Sequence, residues 1–161
     1  MSVTSIDKDF DNLTLTLVAE FDATAVEVWD LWADPRKLER WWGPPTHPAT
    51  FKTHDLTPGG EVTYFMTGPE GDEFHGWWRI DSVDRPKSLE LTDGFADQDG
   101  TPNDDMPTTS MKMEISESEA GTRMELRSVF NSREQMEELA SMGMEEGLRE
   151  AVGQMDALLA E

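Results

Sequence analysis

Between Thr108 and Phe130 the chain alternates apolar and polar residues, and immediately afterwards the apolar period changes from two to nearly four. Met111, Met113 and Ile115 alternate with Ser110, Lys112 and Glu114. Met124, Leu126 and Phe130 alternate with Arg123, Glu125 and Arg127. Alternation puts the apolar set on one face of a strand. The pattern predicts a hairpin of strands 108–117 and 122–130 around Ala120-Gly121. Beyond it, Met136, Leu139, Ala140, Met144, Leu148, Ala151, Val152, Met155, Leu158 and Leu159 recur at helical spacing. Ser132 is a good N-cap and Gln135 stands three residues on, so a capping box should open this helix. Running from about Arg133 to Ala160, it should span roughly 40 Å at 1.5 Å per residue. A sheet with one apolar face and a helix with one apolar stripe bury both by covering each other. An α+β architecture follows, with a long C-terminal helix packed on an antiparallel sheet. Gly143, Gly147 and Gly153 each weaken that helix by ~1 kcal/mol relative to alanine. A bend there would open a cavity beneath it.

The upstream sequence fits the same plan. Leu13, Leu15, Leu17, Ala19 and Phe21 share one face of a half-buried first strand, 13–21. Thr24 with Glu27 makes a capping box for a helix carrying Ala25, Val28, Trp29 and Trp32. Asp34-Pro35 ends it, because the residue before proline disfavours helix. Pro35 suits the first turn of a second short helix with Leu38, Trp41 and Trp42 on its apolar side. After the proline loop 41–48, strands are expected at 49–56, 61–67, 73–83 and 88–93. Thr57-Pro58-Gly59-Gly60 and Pro69-Glu70-Gly71-Asp72 turn the chain between them. The polar stretch 94–107 is the longest irregular segment, a length that goes with function or mobility. The predicted order is strand, two short helices, six strands and one long helix, all in one domain.

Charge and composition exclude several functions. Thirteen basic against thirty-four acidic residues give a net charge of −21. That opposes electrostatic binding of nucleic acid or an anionic membrane. The acids are spread along the chain, as on a solvated surface. There is no cysteine, hence no disulfide and no thiolate metal site. No apolar run reaches the roughly 18 residues of a membrane span. The first residues, MSVTSIDKDF, lack the basic and apolar segments of a signal peptide, so the cytoplasm is the expected compartment.

Chemistry is harder to find. No phosphate-binding glycine loop and no nucleophile elbow occurs, and no cofactor or metal is expected. His75 alternates with the apolar set Phe74, Gly76, Trp78 and Ile80 and should point outward. His54 lies opposite Phe51 and Leu56, and His47 sits in the proline loop. None has a partner at catalytic or ligand spacing, so surface positions are expected. Asp55 and Asp93 fall at strand ends, where a carboxylate commonly caps a turn. The inward faces say more. Phe51, Tyr64, Met66, Trp78, Met111 and Met113 on the strands should meet Met136, Met144 and Leu148 on the helix, with Trp42 at the proline loop. Methionine suits adaptable binding surfaces. With the Tyr64 and Ser128 hydroxyls, this set has the make-up of a small-molecule site.

Several motifs, in order, resemble one family. They are Phe21-x-Ala23, Val28-Trp29 with Trp32, Asp34-Pro35, and Trp41-Trp42-Gly43-Pro44. Asp55-Leu56-x-Pro58-Gly59-Gly60, Gly121-Thr122-Arg123 and Met142-Gly143-Met144-Glu145-Glu146-Gly147 follow. Over roughly residues 12–160 the chain resembles the SRPBCC (START-like, Bet v-type) superfamily. Within it, the chain is similar to the C-terminal domain of the activator of the Hsp-ninety ATPase. The resemblance implies a helix-grip fold, a curved antiparallel sheet wrapped around a long C-terminal helix, with two short helices after the first strand. It also implies a cavity for a small apolar molecule. The eukaryotic co-chaperones carry a separate N-terminal domain, whereas about a dozen residues precede the first expected strand here. Binding of a small apolar molecule is therefore the leading expectation. A chaperone-interaction module and a cyclase- or hydrolase-type enzyme are the alternatives. Binding predicts a wet or ligand-filled cavity, an interaction module a packed core with an exposed apolar patch, and an enzyme two convergent ionisable groups inside the cavity.

Overall fold

The computed structural model describes residues 3–119 and 121–161. Ala120, around which with Gly121 the sequence places the last hairpin, lies outside the described residues. Among the described residues, eight strands form one antiparallel sheet: β1 (Val3–Asp9), β2 (Thr14–Phe21), β3 (Ala49–His54), β4 (Glu61–Thr67), β5 (Glu73–Asp84), β6 (Ser88–Phe95), β7 (Thr109–Ser118) and β8 (Gly121–Val129). Their spatial order is β1-β2-β8-β7-β6-β5-β4-β3. Helices α1 (Ala25–Ala33) and α2 (Pro35–Leu38) carry the chain from β2 to the far edge at β3. Three helical segments close the chain: α3 (Arg133–Ser141), α4 (Met144–Gly153) and α5 (Met155–Leu159). This is the helix-grip arrangement.

Two features depart from the sequence expectation. Strand β1 was not foreseen. It is an edge strand with β2 as its partner, and its residues are intermediate or exposed, so it has no alternating apolar face to betray it. Its turn is locally encoded. Asp9 Oδ1 accepts from the Asp11 and Asn12 amides, both at 3.1 Å. The C-terminal helix is also interrupted. Gly143 adopts φ 88°, a left-handed conformation that costs glycine little and ends α3. A second, smaller offset at Gln154 separates α4 from α5.

The caps follow the sequence closely. Glu27 N donates to Thr24 Oγ1 at 3.2 Å, and Thr24 N donates to Glu27 Oε1 at 3.1 Å. At α3, Gln135 N donates to Ser132 Oγ at 3.1 Å. The Gln135 side-chain Oε1, however, accepts from Asn131 N rather than from Ser132 N, so the reciprocal half of the box is displaced by one residue.

The largest side chains gather where α1, the 41–43 segment and β5 meet. Trp32 stands edge-on to Trp41 at 4.8 Å, and Trp42 edge-on to Trp78 at 4.8 Å. Such edge-to-face pairs add to the benefit of area burial. Trp41 Nε1 donates to Leu31 O at 2.8 Å, and Gln154 Nε2 donates to Gly43 O at 2.7 Å. The latter bond ties the C-terminal helices to the tryptophan segment.

The acidic surface gives a direct test. Most of the ion pairs are exposed and contribute little. Net repulsion at −21 therefore dominates the surface electrostatics. Salt screens over about 10 Å at 0.1 M. The melting temperature is expected to rise between low and half-molar sodium chloride. A flat or falling series would contradict this.

Candidate functional site

Beneath α3 and α4, between those helices and the concave face of the sheet, lies a cavity of about 310 Å³. That is within the lower range for small-molecule sites. The sheet contributes Leu15, Tyr64, Met66, Met111, Ser128 and, just past β8, Phe130. The helices contribute Leu139, Met144, Gly147, Leu148 and Ala151. Trp42 and Pro44 close the end nearest the tryptophan cluster. Phe74 and Phe95 line the cavity yet are 54% and 38% exposed, so they mark its mouth. The space exists because α4 stands off the sheet. Met144 and Leu148 remain only half-buried, and the left-handed turn at Gly143 sets the direction of α4.

Of the residues singled out by sequence, Trp42, Tyr64, Met66, Met111, Ser128, Met144 and Leu148 surround the cavity. Phe51, Trp78, Met113 and Met136 stand outside its lining, packed in the core. Trp78 has no exposure at all.

Asp93 is the residue that sequence reasoning missed. Asp55 does serve a turn, accepting from Thr57 Oγ1 at 2.7 Å. Asp93 instead lines the cavity and accepts from the Tyr64 hydroxyl at 3.0 Å. The signal was present, because Asp93 continues the inward alternation of Leu89 and Leu91. Tyr64 on β4 reaches β6 by crossing Gly76 on the intervening β5. A Cβ at position 76 would fall 2.6 Å from the Tyr64 ring and hydroxyl, so the bridge needs glycine there.

Burial pushes the Asp93 carboxyl up from its ordinary 3.8 to about 7, against the hydrogen bonds from Tyr64 and from the Gly94 amide. Burial, and then the neighbouring Asp93 charge, raises Tyr64 well above 10. The indole N–H groups of Trp42 and Trp78 face this pair and favour its charged forms. Neither completes a hydrogen bond of good geometry. Two ionisable groups thus converge inside an apolar cavity.

Of the histidines, His75 belongs to the cavity lining, whereas His47 and His54 do not. His75 is buried rather than on the surface, 5.2 Å from the Phe65 ring, with Nε2 3.1 Å from Glu73 Oε1. The 94–107 segment covers it: Ala96 N donates to His75 O at 3.0 Å, and Gln98 Nε2 to Glu73 O at 2.9 Å. An Ala96–Pro102 bridge organises that segment. His54 Nε2 lies 3.0 Å from Trp32 O, beside a smaller pocket shared with Trp29 and Arg85. Among the described residues, no group of three or more acids and histidines is placed to hold a metal ion, and no helix is long and apolar enough to cross a membrane.

Comparison with known proteins is consistent with this geometry. A solution structure of a protein from Arthrobacter aurescens is 51% identical, with TM-score 0.94, covering 99% of this chain and 92% of that one. The crystal structure of protein Ms6760 from Mycobacterium smegmatis is 48% identical, with TM-score 0.90, covering 98% and 96%. An AHSA1 protein from Silicibacter pomeroyi shares the fold at 24% identity and TM-score 0.74, over 91% and 97%. The chain matches no curated protein. The family model described as Activator of Hsp90 ATPase homolog 1-like protein matches residues 22–160, and the chain belongs to that family within the SRPBCC superfamily.

Proposed function

We propose that this protein binds a small, mostly apolar molecule in the cavity between the sheet and helices α3 and α4. The observation that carries the reading is the open space itself. About 310 Å³ remains where Met66 and Met111 of the sheet face Met144 and Leu148 of α4. A core built for packing alone would close such a void, because each unfilled volume forfeits contacts. The fold typically binds hydrophobic ligands, which supports the same reading. Trp42, Tyr64, Met66, Met111, Ser128, Met144 and Leu148 are the proposed contacts.

The expected result is saturable binding of the apolar fluorophore N-phenyl-naphthylamine, abolished when Leu148→Trp fills the space from α4. Native mass spectrometry of protein purified from its own host should show a retained small molecule. Absence of saturable binding by the parent protein would overturn the proposal.

One observation favours a second reading, an enzyme using the same cavity. A carboxyl near pH 7 beside a tyrosine hydroxyl is suited to moving a proton. The pair already satisfies itself, however, with Tyr64 donating to Asp93. Binding remains the simpler use of the site.

A further inference from the structure

We propose that the molecule held in this cavity is an apolar amine, bound as its cation, with the ammonium group paired to Asp93 beside the rings of Trp42 and Tyr64. The inference rests on the cavity being a binding site and specifies what it takes.

The charge pattern of the lining leads to it. Asp93 places a carboxyl in a mostly apolar enclosure whose other polar side chains are those of Tyr64, His75, Thr109 and Ser128. Among the described residues, no lysine or arginine lines the cavity to neutralise it. The groups facing Asp93 can be taken element by element. From β4 comes the Tyr64 hydroxyl, and from β5 the uncharged Gly76 and Trp78. Thr109 is its register partner on β7. The lining from α3 and α4 is Leu139, Met144, Gly147, Leu148 and Ala151, none of which titrates. His75 on β5 also belongs to the lining, with its ring 5.2 Å from that of Phe65 and its Nε2 3.1 Å from Glu73 Oε1.

A half-buried carboxylate without a counter-charge is costly, and desolvation correspondingly raises its proton affinity. A ligand cation supplies the missing charge and a charge-assisted hydrogen bond. Aromatic faces attract such a cation further. Trp42 and Tyr64 both line the cavity, with ring centroids 6.1 Å apart. The approach suits a cation as well. Exposed acids flank the mouth residues in the chain: Glu73 precedes Phe74, and Asp97 and Asp99 follow within four residues of Phe95, on a protein of net charge −21. Clefts in a field of one sign concentrate ligands of the other.

The test compares two probes matched in shape, naphthylmethylamine and naphthalenemethanol, by isothermal titration calorimetry. At about pH 8 the amine is expected to bind about tenfold or more tightly than the alcohol. At about pH 6 the advantage should shrink, because Asp93 is then mostly protonated. In Asp93→Asn the advantage should vanish while the alcohol binds as in the parent. The pH comparison uses the parent protein, so the proposal stays testable if the variant folds poorly. Equal binding of the two probes by the parent, or a preference unchanged by pH and by Asp93→Asn, would overturn the amine assignment and leave the cavity reading intact. Binding of neither probe would remove both.

Discussion

Trp78→Ala is expected to lower the unfolding free energy by about 3–5 kcal/mol, and Met144→Ala by about 1 kcal/mol or less. Both residues belong to the apolar set that sequence places between sheet and helix, and both were candidates for the cavity wall. The structure separates them. The Trp78 ring is fully enclosed, with Trp42 at 4.8 Å, Phe51 at 5.7 Å, Tyr64 at 6.0 Å and Trp32 at 6.3 Å. Its removal leaves a void bounded by four other rings that cannot all collapse inward, so the transfer and cavity costs add. Met144 is half-buried and borders space that is already open. Truncating it enlarges an existing cavity and forfeits few contacts. Denaturant melts of the two variants measure the contrast. Equal, large losses would mean that α4 packs on a solid core, and the cavity reading would fall with it. The same geometry makes Trp42, which borders the cavity, the better fluorescent reporter of a ligand.

What the sequence reveals, and what it hides, divides along physical lines. Alternation exposes a strand only when one face is buried. β7 and β8, with Met111, Met113, Met124 and Leu126 turned inward, are legible for that reason. β1 lies at the sheet edge with both faces largely solvated, so its pairing with β2 comes from backbone hydrogen bonds that leave no apolar signature. The long C-terminal stripe is visible, but not that Gly143 takes the left-handed conformation; sequence shows that a bend is permitted, and only packing decides that it occurs. The site is harder still. His75 keeps the outward register its alternation implies, yet a loop distant in sequence folds over it. Asp93 sits at an inward position after Leu91, but its role depends on Tyr64 crossing the intervening strand β5 above Gly76. That juxtaposition is a product of strand order, which local pattern does not encode.

Asp93→Asn is expected to make the protein more stable than its parent at alkaline pH, by up to about 4 kcal/mol, and to flatten its pH dependence. The sign follows from the direction of the carboxyl's displacement. In the unfolded chain Asp93 ionises near 3.8; in the folded protein burial raises this to about 7. Between those values the folded state holds a proton that the unfolded state has released, so stability falls as pH rises from about 4 to about 7. Above that range both states are charged and the full penalty is present; below it both are protonated and none remains. At about 1.4 kcal/mol per pH unit, the gap sets the upper figure of about 4 kcal/mol. Other displaced carboxyls act in a different window. Hydrogen bonds hold Asp9, Glu27, Asp99 and Glu161 below their ordinary values, so their stabilisation is lost as pH falls through the acid range, below the Asp93 window. Asparagine keeps a carbonyl to accept from Tyr64 and cannot ionise. The measurement is the difference in denaturant stability between parent and variant at about pH 5 and about pH 8. A difference that widens with pH identifies Asp93 as a buried charge without a counter-ion, the condition from which a cationic ligand would release it. A constant difference would mean that the carboxyl is solvated through the cavity mouth. Asp93 would then bear no cost for a cationic ligand to relieve.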